Sequence, residues 1–227
     1  MTQATRFINQ RLNSTTRQER APGRQIVEVA YAIQGHGFIA GGAARALIMP
    51  EAPEPADIDI FCLSPEHCDP VREAVKAIGY AFEGEQGSAE LYRAGFENLP
   101  VQIVPASPTL SGPRRYGTPV EVLGDFTFIT EMFAVYAVGA TSPLQQVYTQ
   151  AAKTDTRLKR IRFNKLVSPI YATWRISKYS RKGYRISLRD VQTLFEAWQE
   201  MTTERQTAML SASAEDPADL YRELGRL

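Results

Sequence analysis

Two patterns of apolar and polar positions divide the chain. Up to about residue 140, short apolar runs alternate with turn signals; from Thr141 onward strand signals fade and helical spacing takes over. Ile26, Val27, Ala30 and Ile33 recur at three and four residues, which predicts a helix over residues 24–34, with Gly35 just past its end. Residues 37–40 read as a short strand and 43–49 as a short helix, with a glycine pair between them. Residues 57–61 alternate polar and apolar and read as a strand. Asp69 as N-cap and Pro70 as first helical residue predict a helix running to Ile78 and ending at Gly79. Strands are expected near 89–93 and 100–104. In the second regime Ser168-Pro169 opens a helix that Gly183 closes. Ser187 to Asp190 caps another that would bury Val191, Leu194, Phe195 and Trp198, and Asp216-Pro217 starts a last one with Leu220 and Leu224. The expected class is α/β (α+β): a polar N-terminal arm over residues 1–23, a small mixed β-sheet domain over 24–140, and a helical, partly basic domain over 141–227.

Composition agrees with a globular chain: 227 residues, 44% apolar and 22% charged, are enough to bury a core. No apolar run reaches the length of a membrane span and the N-terminus lacks a signal-peptide core, so a cytoplasmic protein without membrane contact is expected. Cys62 and Cys68 give no disulfide framework. With His67 they fall one ligand short of a structural zinc site. Charge is unevenly placed. From Lys153 to Arg189 there are twelve lysines and arginines against Asp155 alone, a local +11 (12 minus 1) in a chain of net charge +1. Such a segment is an electrostatic footprint for a polyanion.

The chemistry is concentrated between Gly37 and Leu63. Gly41 and Gly42 form a turn between strand and helix, where backbone N–H groups can approach an anion, and Arg45 follows in the first helical turn. Asp57 and Asp59 share one face of the next strand, about 7 Å apart at Cα, while Ile58 and Ile60 point to the core. Two such carboxylates suit Mg²⁺ shared with substrate phosphates. Gly41-Gly42-Ala43-Ala44-Arg45 followed by Asp57-Ile58-Asp59-Ile60-Phe61 resembles the nucleotidyltransferase superfamily of DNA polymerase β, tRNA CCA-adding enzymes, poly(A) polymerases and aminoglycoside nucleotidyltransferases, the CCA-adding and poly(A) head domains most closely. The resemblance implies that Gly41 and Gly42 hold the triphosphate of a nucleoside triphosphate, with Arg45 at the matching arginine position. It implies that Asp57 and Asp59 are catalytic ligands of Mg²⁺ or Mn²⁺, and that a nucleoside monophosphate passes to a hydroxyl acceptor.

Three further positions bear on that expectation. Many members of the superfamily carry a third carboxylate on a later strand; the matching position here is Gln102. Asp125-Phe126-Thr127 resembles the Asp-Phe-Thr segment of the CCA-adding and poly(A) group, without the two arginines before it or the asparagine after it. Asp125 is either an additional acid near the site or a turn residue before a strand. In the basic segment Arg175, Lys178 and Lys182 lie on one helical face with Tyr171 and Trp174 interleaved, a composition suited to nucleic acid. Arg160 belongs to a run, residues 157–163, that resembles the arginine-rich helix after the catalytic domain of CCA-adding enzymes. RNA is the acceptor these cations favour. The alternative expectation is a catalytically degenerate member that binds nucleotide or nucleic acid without turnover.

Overall fold

A computed structural model describes residues 6–11, 21–86, 89–104, 116–166, 168–204 and 206–207. The expected last helix, with Leu220 and Leu224, lies outside the described residues. The strands are β1 (Phe7–Arg11), β2 (Gly37–Ala40), β3 (Ile58–Cys62), β4 (Ala81–Gln86), β5 (Ala89–Arg93), β6 (Val101–Val104), β7 (Phe133–Tyr136), β8 (Gln145–Thr149), β9 (Arg160–Ile161) and β10 (Arg185–Ile186). The helices are α1 (Ala21–Ala32), α2 (Gly42–Ile48), α3 (Cys68–Ala77), α4 (Pro119–Gly124), α5 (Gln150–Arg157), α6 (Pro169–Ser180) and α7 (Leu188–Gln199).

Eight strands form one mixed sheet in the order β1-β8-β7-β2-β3-β6-β5-β4. Central strands read as the sequence suggests. Every residue of β2 is buried, and β3 buries Ile58, Ile60 and Cys62 while Asp59 and Phe61 are partly exposed. β2 runs antiparallel to β3, and β3 is parallel to β6. Gly37 is required by close approach: a Cβ there would sit 2.8 Å from the carbonyl oxygen of Phe61 on the paired strand. Helices α1 and α2 pack on β2, and α2 also on β3 and β7.

Several expectations change. The polar arm contains a strand, β1, which pairs antiparallel with β8; β8 itself lies in the stretch expected to be helical. Strand β4 extends the far edge. Helix α3 begins at Cys68 rather than with Asp69 as N-cap, because a 3-10 turn over Pro65–His67 leads into it. A short helix, α4, precedes Asp125; it opens with a Thr118/Glu121 capping box and ends with Asp125 as C-cap. Helix α7 buries none of its residues fully: Phe195 is 63% exposed and Leu194 packs only partly. Among the described residues no helix is long and apolar enough to cross a membrane.

A second, smaller core joins the helical part to the sheet. Phe128, Ile161, Ala172, Tyr179 and Tyr184 cluster there, and Phe128 bridges antiparallel to Phe163. Tyr179 meets Phe128 edge-on at 5.8 Å between ring centroids and Tyr184 at 5.1 Å. This aromatic contact fixes where α6 sits relative to the sheet.

Candidate active site

The glycine turn and the aspartate pair meet at one end of β2 and β3. Gly41 follows β2 directly with φ 72°, a conformation glycine adopts at little cost. Its N–H donates to the Phe133 carbonyl at 2.9 Å and its carbonyl accepts from Arg45 N at 2.9 Å, so the turn is pinned to β7 and α2. Ala40 pairs with Asp59 across the ladder, and a Cβ on Gly41 would stand 3.6 Å from Asp59 Oδ2. Around a Cβ on Gly42 there is open space, so the backbone is accessible there. Asp57 immediately precedes β3 and is partly exposed.

Asp59 is electrostatically unsatisfied. Burial, then the charge of Asp57, push its carboxyl up to about 7; Arg175 and Lys178 act in the opposite direction, and Glu131 adds to the rise. A divalent cation would reverse that balance. Among the described residues no group of three or more His, Cys, Asp or Glu side chains is placed to hold a metal. Asp57 and Asp59 are a two-carboxylate donor set, which fits Mg²⁺ or Mn²⁺ when phosphate oxygens and water complete the sphere. Gln102 is the residue paired with Asp59 on β6, and its Nε2 donates to Gln86 Oε1 at 3.0 Å. The position where the superfamily often places a carboxylate is thus neutral here.

Arg45 does not face an open phosphate site. It is 2% exposed, and its Nη1 donates to the Thr130 carbonyl and to the Tyr179 hydroxyl, both at 3.1 Å. Its guanidinium lies 5.5 Å from the centroid of Tyr179 and 5.8 Å from that of Tyr184. The residue braces α2 against α6. Asp125 caps α4, and its Oδ1 accepts from Lys165 Nζ at 2.7 Å. Asn164 donates to the flanking carbonyls of Gly124 and Phe126. The Phe126 ring reaches 4.0 Å from a Cβ placed on Gly41, so this turn forms a rim of the site.

Two of the expected nucleic-acid contacts have partners within the chain. Arg160 and Arg162 both bind Asp155, which is 0% exposed, with N–O distances of 2.6 and 2.7 Å. Arg160 is therefore a clamp on a buried carboxylate. Asp155→Ala leaves both guanidiniums without their counter-ion and is expected to cost about 3–5 kcal/mol, read as a lower urea midpoint. Arg175 is an ion-pair partner of Glu131. Lys159, Arg181, Arg185 and Arg189 are exposed.

Glu131 and Tyr179 are the site residues that sequence patterning does not single out. Glu131 is 2% exposed and joins Arg175 to the turn before β7. The available signal is a lone acid inside the run Phe128-Ile-Thr-Glu-Met-Phe133.

The mixed sheet, with the glycine turn and the paired aspartates at the end of β2 and β3, is a fold this chain shares with solved structures of known proteins. Solved structures it is similar to include CCA-adding enzymes. An apo form of one matches with TM-score 0.63 and 15% identity over 96% of this chain and 53% of that one. A complex of a CCA-adding enzyme with ATP gives 0.60, 16%, 96% and 54%. The Thermotoga maritima CCA-adding enzyme complexed with tRNA gives 0.59, 14%, 96% and 54%. The chain spans a little over half the length of these proteins, and at such identity the likeness is one of fold. No family model matches the chain, and no curated protein does.

Proposed function

We propose that this protein transfers a nucleoside monophosphate from a nucleoside triphosphate to a hydroxyl acceptor, with an RNA 3′ end as the acceptor. The observation that carries the reading is the pairing of Ala40 with Asp59, which sets the Gly41-Gly42 turn, with open space at Gly42, beside the aspartate pair. Mg²⁺ or Mn²⁺ held by Asp57 and Asp59 would supply charge stabilisation to the reacting phosphate. Gly41, its N–H held by the Phe133 carbonyl, shapes the turn, and the open space at Gly42 gives the triphosphate room beside the backbone. Arg45 keeps α2, and so the turn, in place from within. Asp125 is engaged by the Lys165 ammonium and ends α4, so it orders the rim. RNA as acceptor is supported by the exposed cations of the basic segment and by the tRNA complex of a protein of similar fold.

The neutral Gln102 beside Asp59 favours a second reading, a member that binds nucleotide without turnover. One experiment separates them. The protein is incubated with each labelled nucleoside triphosphate, Mg²⁺ or Mn²⁺ and total RNA, beside Asp57→Asn. Label entering RNA with the wild-type chain alone is the expected result. Nucleotide binding with no label in RNA, protein or small hydroxyl compounds leaves the non-catalytic reading in its place.

A further inference from the structure

Helix α6 carries Arg175, Lys178 and Tyr179 at i, i+3 and i+4, on one side, and Lys182 lies in the turn that ends the helix, its N–H donating to the Tyr179 carbonyl at 2.9 Å. Two of the four are fastened to the sheet domain: Arg175 donates to Glu131 Oε1, and the Tyr179 hydroxyl accepts from Arg45. Arg45 is one helical turn from Gly41, and Gly41 follows Ala40, the ladder partner of Asp59. The contacts that seat 175 and 179 therefore bring 178 and 182 toward the same end of β2 and β3. Asp59 feels the charge of Lys178, and Lys182 that of Asp57.

Neither lysine forms an ion pair among the described residues. Lys178 Nζ lies 5.6 Å from the Trp174 ring centroid. Lys182 is partly buried; burial, then Arg45 and Lys178, push its ammonium pKa down, while Asp57 and Glu131 hold it up. Arg45, Arg175, Lys178 and Lys182 face Glu131, Asp57 and Asp59, an excess of cations even with both aspartates ionised. A cluster with that bias suits added negative charge. The glycine turn needs such help, since Arg45 is turned inward to Thr130 and Tyr179.

We infer that Lys178 and Lys182 bind the triphosphate of the incoming nucleotide, so that α6 supplies phosphate contacts to the site rather than a surface for RNA. The inference rests on the nucleotide-transfer reading. It makes these lysines the residues that distinguish a nucleoside triphosphate from a monophosphate.

The test measures affinity of the full chain for ATP against AMP and CTP against CMP, with Mg²⁺, and for a single-stranded RNA oligonucleotide. Wild type is expected to favour the triphosphate at least tenfold. In Lys178→Met/Lys182→Met that preference falls to near parity, with monophosphate and RNA affinity unchanged; Lys178→Arg/Lys182→Arg keeps it and controls for folding. A double Met variant that retains the preference overturns the inference alone. Loss of RNA affinity with the preference intact does the same and assigns the face to the acceptor. A wild-type chain that binds no nucleotide removes the nucleotide-transfer reading, and the inference with it.

Discussion

Asp59→Asn is expected to abolish nucleotide transfer and at the same time to stabilise the protein. The loss of activity follows from removing one of the two carboxylates proposed to hold a divalent cation, and is at least about a thousandfold. The gain in stability follows from the carboxyl itself. In the folded chain its pKa rises from 3.8 to about 7, burial first and the neighbouring Asp57 charge second. The folded state thus holds this proton more tightly than the unfolded one. Below about pH 4 both states are protonated and Asp59 costs nothing. As pH rises from 4 toward 7 the unfolded state releases the proton first, and folding stability declines across that window. Above pH 7 the folded protein carries the full penalty. Three units correspond to about 4 kcal/mol at most; Asp59 is partly exposed, and water at the open end of the site reduces this to about 1–2 kcal/mol. Urea midpoints of wild type and Asp59→Asn, without divalent cation, are expected to coincide near pH 4 and to separate in favour of the variant at pH 8. Mg²⁺ with a nucleoside triphosphate should then raise the wild-type midpoint more than that of the variant. A residue that weakens its own fold while facing a second carboxylate is the pattern of a functional site. A variant that is less stable than wild type at pH 8 overturns this account of Asp59.

What could be read from the chain was set by local chemistry. Gly41-Gly42 and Asp57-Ile-Asp59 are legible because a positive-φ turn and a period-two strand each leave their mark within a few residues, and the register then brings them together. The sheet edges left no such mark. β4 is exposed on nearly every residue, and β1 is mostly polar, so neither shows the alternation of a half-buried strand. Their strand character comes from partners far along the chain, β1 from β8 above all. Arg45 is a different case. Helix α2 is apolar around its whole circumference, Gly-Ala-Ala-Arg-Ala-Leu-Ile, and such a helix is buried on all sides. The signal that Arg45 faces inward was therefore present, but an arginine in a glycine-rich turn points equally to phosphate. Helix α7 shows the converse: its apolar spacing is clear, and yet Phe195 is exposed, because spacing defines a face and not what covers it.

Glu131 is where the two halves of the site are held together, and Glu131→Ala is expected to cost about 3–5 kcal/mol. The carboxylate is 2% exposed; its Oε1 takes the Arg175 guanidinium, and Arg45 lies close enough to feel its charge. Oε2 of Glu131 and Nε of Arg45 have no hydrogen-bond partner among the described residues, so the cluster rests on charge more than on saturated hydrogen bonding. Removing the acid leaves two arginines facing each other next to Tyr179, with little water to screen them. Glu131→Gln keeps the shape and one acceptor oxygen but loses the charge, and a smaller loss, about 1–3 kcal/mol, is expected. The double change Glu131→Met/Arg175→Met removes both charges and should recover part of the loss, as apolar groups of similar volume do when they replace a buried pair. A thermodynamic cycle of urea denaturations over these variants and Arg175→Met measures the coupling directly. Coupling near zero would mean that α6 is held by its aromatic contacts alone, Tyr179 on Phe128 and Tyr184. A large coupling makes the ion pair the link by which the basic face of α6 is kept over Asp57 and Asp59. In that case Glu131→Gln also weakens triphosphate binding without touching the phosphates, because Lys178 and Lys182 move with the helix.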